Sequence, residues 1–277
     1  MKRSRLIALS GALLLAGFGT AAGGSAGLNA LLAGLSGKLR AVFALPGQAG
    51  APGRPGVYQW LTGARQALTL VVLTPFSAKV NGRIGAYRMG TWPFERHAPR
   101  DPAYENPAGF IEVTPANFGM HVSEHFTLGQ FVTKGQEHVW PKYVALDRRL
   151  IDKLELTIDE LAREGHGVPG FVVMSGFRTP DYNESGGDPA GRSAVSRHLY
   201  GDAADVYPDG AGRGWISDLN RDGRRDVRDA RVLAAAVETV EARHPELVGG
   251  IGVYPGNGAH GPFVHVDARG KRARWAG

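Results

Sequence analysis

Two segments constrain this chain more than anything else in it: Ser196-Arg197-His198-Leu199-Tyr200-Gly201-Asp202-Ala203-Ala204-Asp205, and, sixty residues further on, Phe263-Val264-His265-Val266-Asp267. A fold that brings them side by side gathers His198, Asp205 and His265. Neutral imidazole and carboxylate are ligand types of zinc, and three protein ligands leave a fourth position open to water, as in catalytic and not structural sites. Gly201 permits a tight turn after His198, and Ala203-Ala204-Asp205-Val206 reads as a short strand whose alanines leave room for a metal.

Upstream, Val172-Val173-Met174-Ser175-Gly176-Phe177-Arg178-Thr179-Pro180 reads as an apolar strand that breaks at glycine and presents an arginine, followed by Tyr182-Asn183 in a Gly/Ser/Asp-rich loop. In order, the blocks Ser-Gly-Phe-Arg-Thr-Pro, Tyr-Asn, Ser-x-His-x-x-Gly-x-Ala-x-Asp, Gly-Val-Tyr-Pro and Phe-Val-His-Val-Asp resemble the zinc D-alanyl-D-alanine carboxypeptidases and their murein endopeptidase relatives. The resemblance covers Phe126 to the C-terminus. It implies a zinc peptidase acting on peptidoglycan stems or cross-bridges, with an α+β fold in which a small antiparallel sheet, flanked by helices, carries the zinc site. It also implies zinc ligands at His198, Asp205 and His265. Arg178 falls where the family places an arginine that hydrogen-bonds the substrate carbonyl and its developing oxyanion, a role that suits a planar guanidinium.

The chain departs from the family at the general base. Relatives carry an acid three residues before the last ligand or a histidine two before it; here those positions are Pro262 and Phe263. Side chains alternate along a strand, so Asp267 shares a face with His265 and is the nearest carboxylate for catalysis. It is equally placed to hold His265 in one tautomer. His260, in the loop Pro255-Gly256-Asn257-Gly258-Ala259-His260-Gly261, is a weaker alternative. The missing acid also supports a second class of reading, a catalytically silent cell-wall-binding protein that retains the peptidase fold. An arginine and an open metal position together speak against it.

With 277 residues and 43% hydrophobic content, the chain accommodates one catalytic domain and a smaller module. Cysteine is absent, which excludes a disulfide frame, a Cys-ligated zinc and a lipidated cysteine. The basic start Met1-Lys2-Arg3-Ser4-Arg5 and the 17-residue apolar run Leu6 to Ala22 have the form of a secretory signal, or of an uncleaved anchor, over 1–24. Export to the periplasm or cell envelope is expected in both cases, with membrane anchoring in the second. Lys2, Arg3 and Arg5 supply three of the six formal net charges, leaving +3 without them. Arg269, Lys271, Arg272 and Arg274 beside Trp275 offer contact to an anionic wall polymer, or form a solvated tail. No basic helix, stacking motif or finger spacing points to nucleic acid.

Along the chain, residues 25–56 read as a helix within Leu28–Leu45 and a Pro/Gly linker from Pro46 to Gly56. A small β-rich module is expected over 57–120, with a strand at Leu68–Leu73 and an Asn81-Gly82 turn before Arg83–Tyr87. The peptidase domain follows over 121–277, with a helix at Leu146–Arg163 whose Leu150, Ile151, Leu154, Ile158 and Leu161 form one stripe. Inside it, Asp218, Asn220, Asp222, Asp226 and Asp229 occupy the first, third, fifth, ninth and twelfth places of a calcium loop. Gly223 stands at the sixth and Arg224 at the seventh, where the carbonyl serves. This insertion resembles dockerin loops, which also end in Asp, and implies a structural calcium; Arg225 stands where such loops are usually apolar.

Overall fold

The computed structural model describes residues 6–8, 41–48, 51–61, 67–186 and 192–277. Strands β1 (Leu6–Ala8), β2 (Ala41–Ala44), β3 (Gly56–Leu61) and β4 (Ala67–Val72) form a sheet in the order β1-β3-β4-β2, with β2 parallel to β4. The helix expected within Leu28–Leu45 is not present at its described end. Val42 and Phe43, β-branched and aromatic, instead extend opposite Leu70 and Val71. The rest of that helix, and the expected leader apart from Leu6–Ala8, lie outside the described residues. Among the described residues no helix is long and apolar enough to cross a membrane.

A second sheet joins β5 (Thr74–Pro75), β8 (Gly109–Val113) and β9 (Lys142–Val144), while β6 (Arg83–Ile84) and β7 (Tyr87–Arg88) form a hairpin. The Asn81-Gly82 turn forms as expected: both residues take left-handed φ, 50° and 73°, and Val80 and Arg83 exchange hydrogen bonds of 2.8 and 3.0 Å across it. Pairing of β8 with β9 crosses residue 120, and Val71, Tyr87, Trp92 and Phe110 share one hydrophobic core with Leu150, Leu154 and Val264. The described residues of 57–120 are therefore packed as part of the body that carries His198, Asp205 and His265. A bond of 2.8 Å from the Trp92 indole N–H to the Leu199 carbonyl runs straight into the histidine turn.

Helix α1 (Arg148–Arg163) starts at the Asp147 cap, whose carboxylate accepts the Arg149 N–H at 2.8 Å, and buries all five residues of its stripe. Each such burial contributes about 1.5–3 kcal/mol. The short α2 (Pro180–Ser185) is capped by Thr179, and α3 (Val227–Arg243) by Asp226 with Asp229 closing a capping box. The main sheet has the order β10-β11-β13-β12-β14, from β10 (Val172–Ser175), β11 (Ala203–Tyr207), β12 (Gly250–Tyr254), β13 (Phe263–Asp267) and β14 (Ala273–Ala276). It is not wholly antiparallel as expected, because β14 returns along the far edge parallel to β12. One face, with Val206, Val264, Val266 and Ile251, is buried in a common cluster with Leu150 and Leu154 of α1 and Leu233 and Val237 of α3. Small sheets and three α-helices among the described residues, with no barrel, make a mixed architecture in keeping with α+β.

Candidate metal centre

The other face of the main sheet carries the polar residues. Asp205 on β11 stands directly opposite His265 on β13, a cross-strand pair of the kind that brings side chains into contact. His198 comes from the 3-10 turn Arg197–Tyr200, which ends at Gly201 with φ of 76°. A Cβ at Gly201 would stand 2.4 Å from the Ala145 backbone, so only glycine closes this turn. Gly201→Ala is expected to lower stability by about 1–3 kcal/mol, readable from denaturant midpoints.

The turn and the strand pair bring three ligand atoms together. His198 Nε2 lies 3.2 Å from both Asp205 Oδ1 and His265 Nδ1, and His265 Nδ1 lies 2.9 Å from the same Asp205 oxygen. All three residues are buried, and among the described residues they are the one group of three or more His, Asp or Glu placed to share a metal ion. The remaining nitrogen of each ring is already engaged: His198 Nδ1 donates to the Gly176 carbonyl at 2.7 Å, and His265 Nε2 faces Asp267 Oδ2 at 3.1 Å. Each imidazole thus turns its other nitrogen toward the shared point, as a metal requires. The group can hold a metal ion.

Electrostatics agree with the geometry. Burial keeps the His198 imidazole below its ordinary pKa, and hence neutral. Burial also opposes a charge on His265, but hydrogen bonds to the Asp205 and Asp267 carboxylates outweigh it and raise that ring to about 8. Asp205 lies well below the carboxylate range: burial pushes upward, and the two histidines more than offset it. A metal ion held there would take the place of the proton that the two carboxylates otherwise keep on His265.

Asp267 is not arranged as a free base. It is fully buried; its carboxylate accepts the Gly250 N–H at 2.8 Å and the Arg269 guanidinium at 2.9 Å, in addition to facing His265. Of the two roles open to it in the sequence, orientation of His265 is the one this geometry serves. Asp267→Asn is expected to weaken metal affinity by about 10- to 100-fold, measurable by competition with a chromogenic chelator.

Arg178 follows a β-bulge at Val173–Ser175 and is anchored twice, by Nε to Ser175 Oγ at 2.9 Å and by Nη2 to Asp205 Oδ2 at 2.7 Å. Asp205 thus turns one oxygen to the shared metal position and the other to the arginine. Nη1 has no acceptor among the described residues. His260 lies apart from the ligand group, held by Asn257 and the Gly261 carbonyl with its ring against Phe263.

In the loop at 218–229, Asp218 accepts the Gly223 N–H at 2.9 Å, Asn220 that of Asp222 at 3.0 Å, and Asp222 that of Arg224 at 2.9 Å. Asp229 is buried beneath it and accepts from Leu219 and Asp226, both at 2.8 Å. Asp226 caps α3 and pairs with Arg228, which also reaches Asp222. Asp218 Oδ1 is buried without a partner among the described residues. Of the C-terminal cations, Arg269 pairs with Asp267 and Arg274 with Glu238 and Glu241, while Lys271 and Arg272, both exposed, pair with Asp101 and Glu238.

Sequence reasoning left Ser175 and the Gly176 carbonyl without a role, although both stand in the Ser-Gly-Phe-Arg-Thr-Pro block. Trp275, read in the sequence only as a neighbour of the C-terminal cations, lies with its ring 5.1 Å from His265 over Gly252, where a Cβ would meet the indole at 2.4 Å. Comparisons with family models, with curated proteins and with solved structures give no match to this chain.

Proposed function

We propose that the chain is an exported zinc-dependent peptidase that hydrolyses peptide bonds of peptidoglycan stems or cross-bridges. The observation that carries this reading is the buried His198–Asp205–His265 group, with its ligand atoms turned to one point and Arg178 bound to the outer oxygen of Asp205. Two imidazoles and a carboxylate suit zinc, and the five ordered sequence blocks and the leader-like start favour a cell-wall substrate. Zinc at this point supplies Lewis acidity to a carbonyl and brings the ionisation of water into the neutral range. Gly176 and Asp267 hold the two rings in their metal-binding tautomers. Arg178, fixed by Ser175 and Asp205, keeps Nη1 for the substrate carbonyl and the negative charge that develops on it. The test is incubation of the purified chain with cross-linked muropeptides, with and without chelator, and identification of the products by mass spectrometry. New termini that disappear with chelator support the peptidase.

The competing reading, a silent wall-binding protein, is favoured by Pro262 and Phe263 where relatives carry an acid or a histidine, and by the engagement of Asp267. Intact muropeptides that remain bound to the chain would establish it.

The loop at 218–229 is read as a structural calcium site formed around Asp218, Asn220, Asp222, the Arg224 carbonyl, Asp226 and Asp229, with the buried Asp218 Oδ1 as the oxygen most in need of a cation. Millimolar calcium is expected to raise the melting temperature by mass action on the folded state. An unchanged melting curve would assign the loop to its own Arg228 ion pairs.

A further inference from the structure

The two oxygens of the Asp267 carboxylate are held in different ways. Oδ1 accepts the backbone N–H groups of Gly250 at 2.8 Å and of Arg269 at 3.1 Å, donors that stay in place whatever side chain stands at 269. Oδ2 is the oxygen that faces His265 Nε2, at 3.1 Å. Its other partner among the described residues is the Arg269 guanidinium, which reaches it through Nε at 3.0 Å and Nη2 at 2.5 Å. The arginine is itself fixed. Its chain neighbours Ala268 and Gly270 donate their N–H groups to the Asp202 and Val248 carbonyls at 3.0 and 2.9 Å, and Gly270 turns the chain with φ of 83°. Its Cζ lies 5.7 Å from the centre of the Trp275 ring, the ring that also stands 5.1 Å from His265.

The fold makes room for this pair. A Cβ at Gly250 would stand 2.2 Å from Asp267 Oδ2 and 2.9 Å from Arg269 Nη2, so the space exists only because that position is glycine. A carboxylate that takes a guanidinium fork cannot rotate without breaking charge-assisted hydrogen bonds. Oδ2 is thereby kept in line with the imidazole. The imidazole in turn keeps Nδ1 at the point it shares with His198 Nε2 and Asp205 Oδ1. Charge is balanced along the same path: two carboxylates, Asp205 and Asp267, contact His265, and each is paired outward with its own arginine, Arg178 and Arg269.

We propose that Arg269 is a positioning residue of the metal centre, acting through Asp267 to fix the His265 ring for the ion. The proposal rests on the reading of His198, Asp205 and His265 as zinc ligands. The probe is zinc alone, measured by competition with a chromogenic chelator in the full chain, in Arg269→Gln, Arg269→Lys and Asp267→Asn, and in the double variant Arg269→Gln/Asp267→Asn. Melting temperatures of the metal-free proteins are recorded beside it. Arg269→Gln is expected to weaken zinc affinity about tenfold, the lower end of what loss of a ligand-orienting partner costs. Lysine keeps the charge but not the fork, and is expected to recover part of that loss. The double variant is expected to bind zinc within about twofold of Asp267→Asn alone, because two substitutions on one path do not add. An arginine that served stability alone would lower the melting temperature without this pattern. Parent-level zinc affinity in Arg269→Gln, or losses that multiply in the double variant, would overturn the proposal; should Arg269→Gln not fold, the same cycle built with Arg269→Lys decides. The expected zinc pattern without muropeptide hydrolysis would overturn the peptidase reading and leave this proposal standing, whereas a parent that takes up no zinc would overturn both.

Discussion

His198→Ala is expected to remove bound metal and peptide hydrolysis together, leaving turnover no higher than that of the chelated parent. Partners that only orient a ligand account for about 10- to 100-fold in affinity, so loss of one of three ligands is expected to cost at least about 10³-fold. Asp205→Asn should be milder toward the metal and severe toward Arg178, because the same side chain serves both. Elemental analysis of the dialysed protein checks the first expectation. Zinc retained at parent level in His198→Ala would refute the ligand assignment, whatever the activity.

The second large effect belongs to Arg178. Its anchors, Ser175 and Asp205, hold the guanidinium beside the metal ligands, and burial draws its pKa down, with Asp205 resisting. Arg178→Ala is expected to lower turnover by about 10²- to 10³-fold with near-parent zinc content, the usual consequence of losing one donor to a developing oxyanion. Lysine restores charge but not the planar fork that reaches Ser175 and Asp205 at once, so rescue should be partial. Turnover within about twofold of the parent would make the arginine a structural ion-pair partner and shift weight to the wall-binding reading.

Much of the centre was legible because its elements are local or depend on period two. Asp205 and His265 each sit within an alternating strand run, and the Gly201 turn is encoded by the one residue that tolerates its φ without crowding Ala145. The stripe of α1 and the Asn81-Gly82 turn are short-range signals of the same kind. What escaped depends on distant partners. The engagement of Asp267 by the Gly250 N–H, and of Lys271 and Arg274 by Asp101, Glu238 and Glu241, joins residues far apart in the chain. Ala41–Ala44 shows a further limit: apolar spacing suits either a helix or a strand, and β4 as a neighbour determines the outcome.

The bond from the Trp92 indole to the Leu199 carbonyl also limits where the chain can be cut. A piece beginning at residue 121 would keep every metal ligand yet lose the donor that braces the histidine turn from outside, and β9 would lose its partner β8. The smallest transplantable unit for grafting this centre onto another protein therefore begins upstream of Trp92.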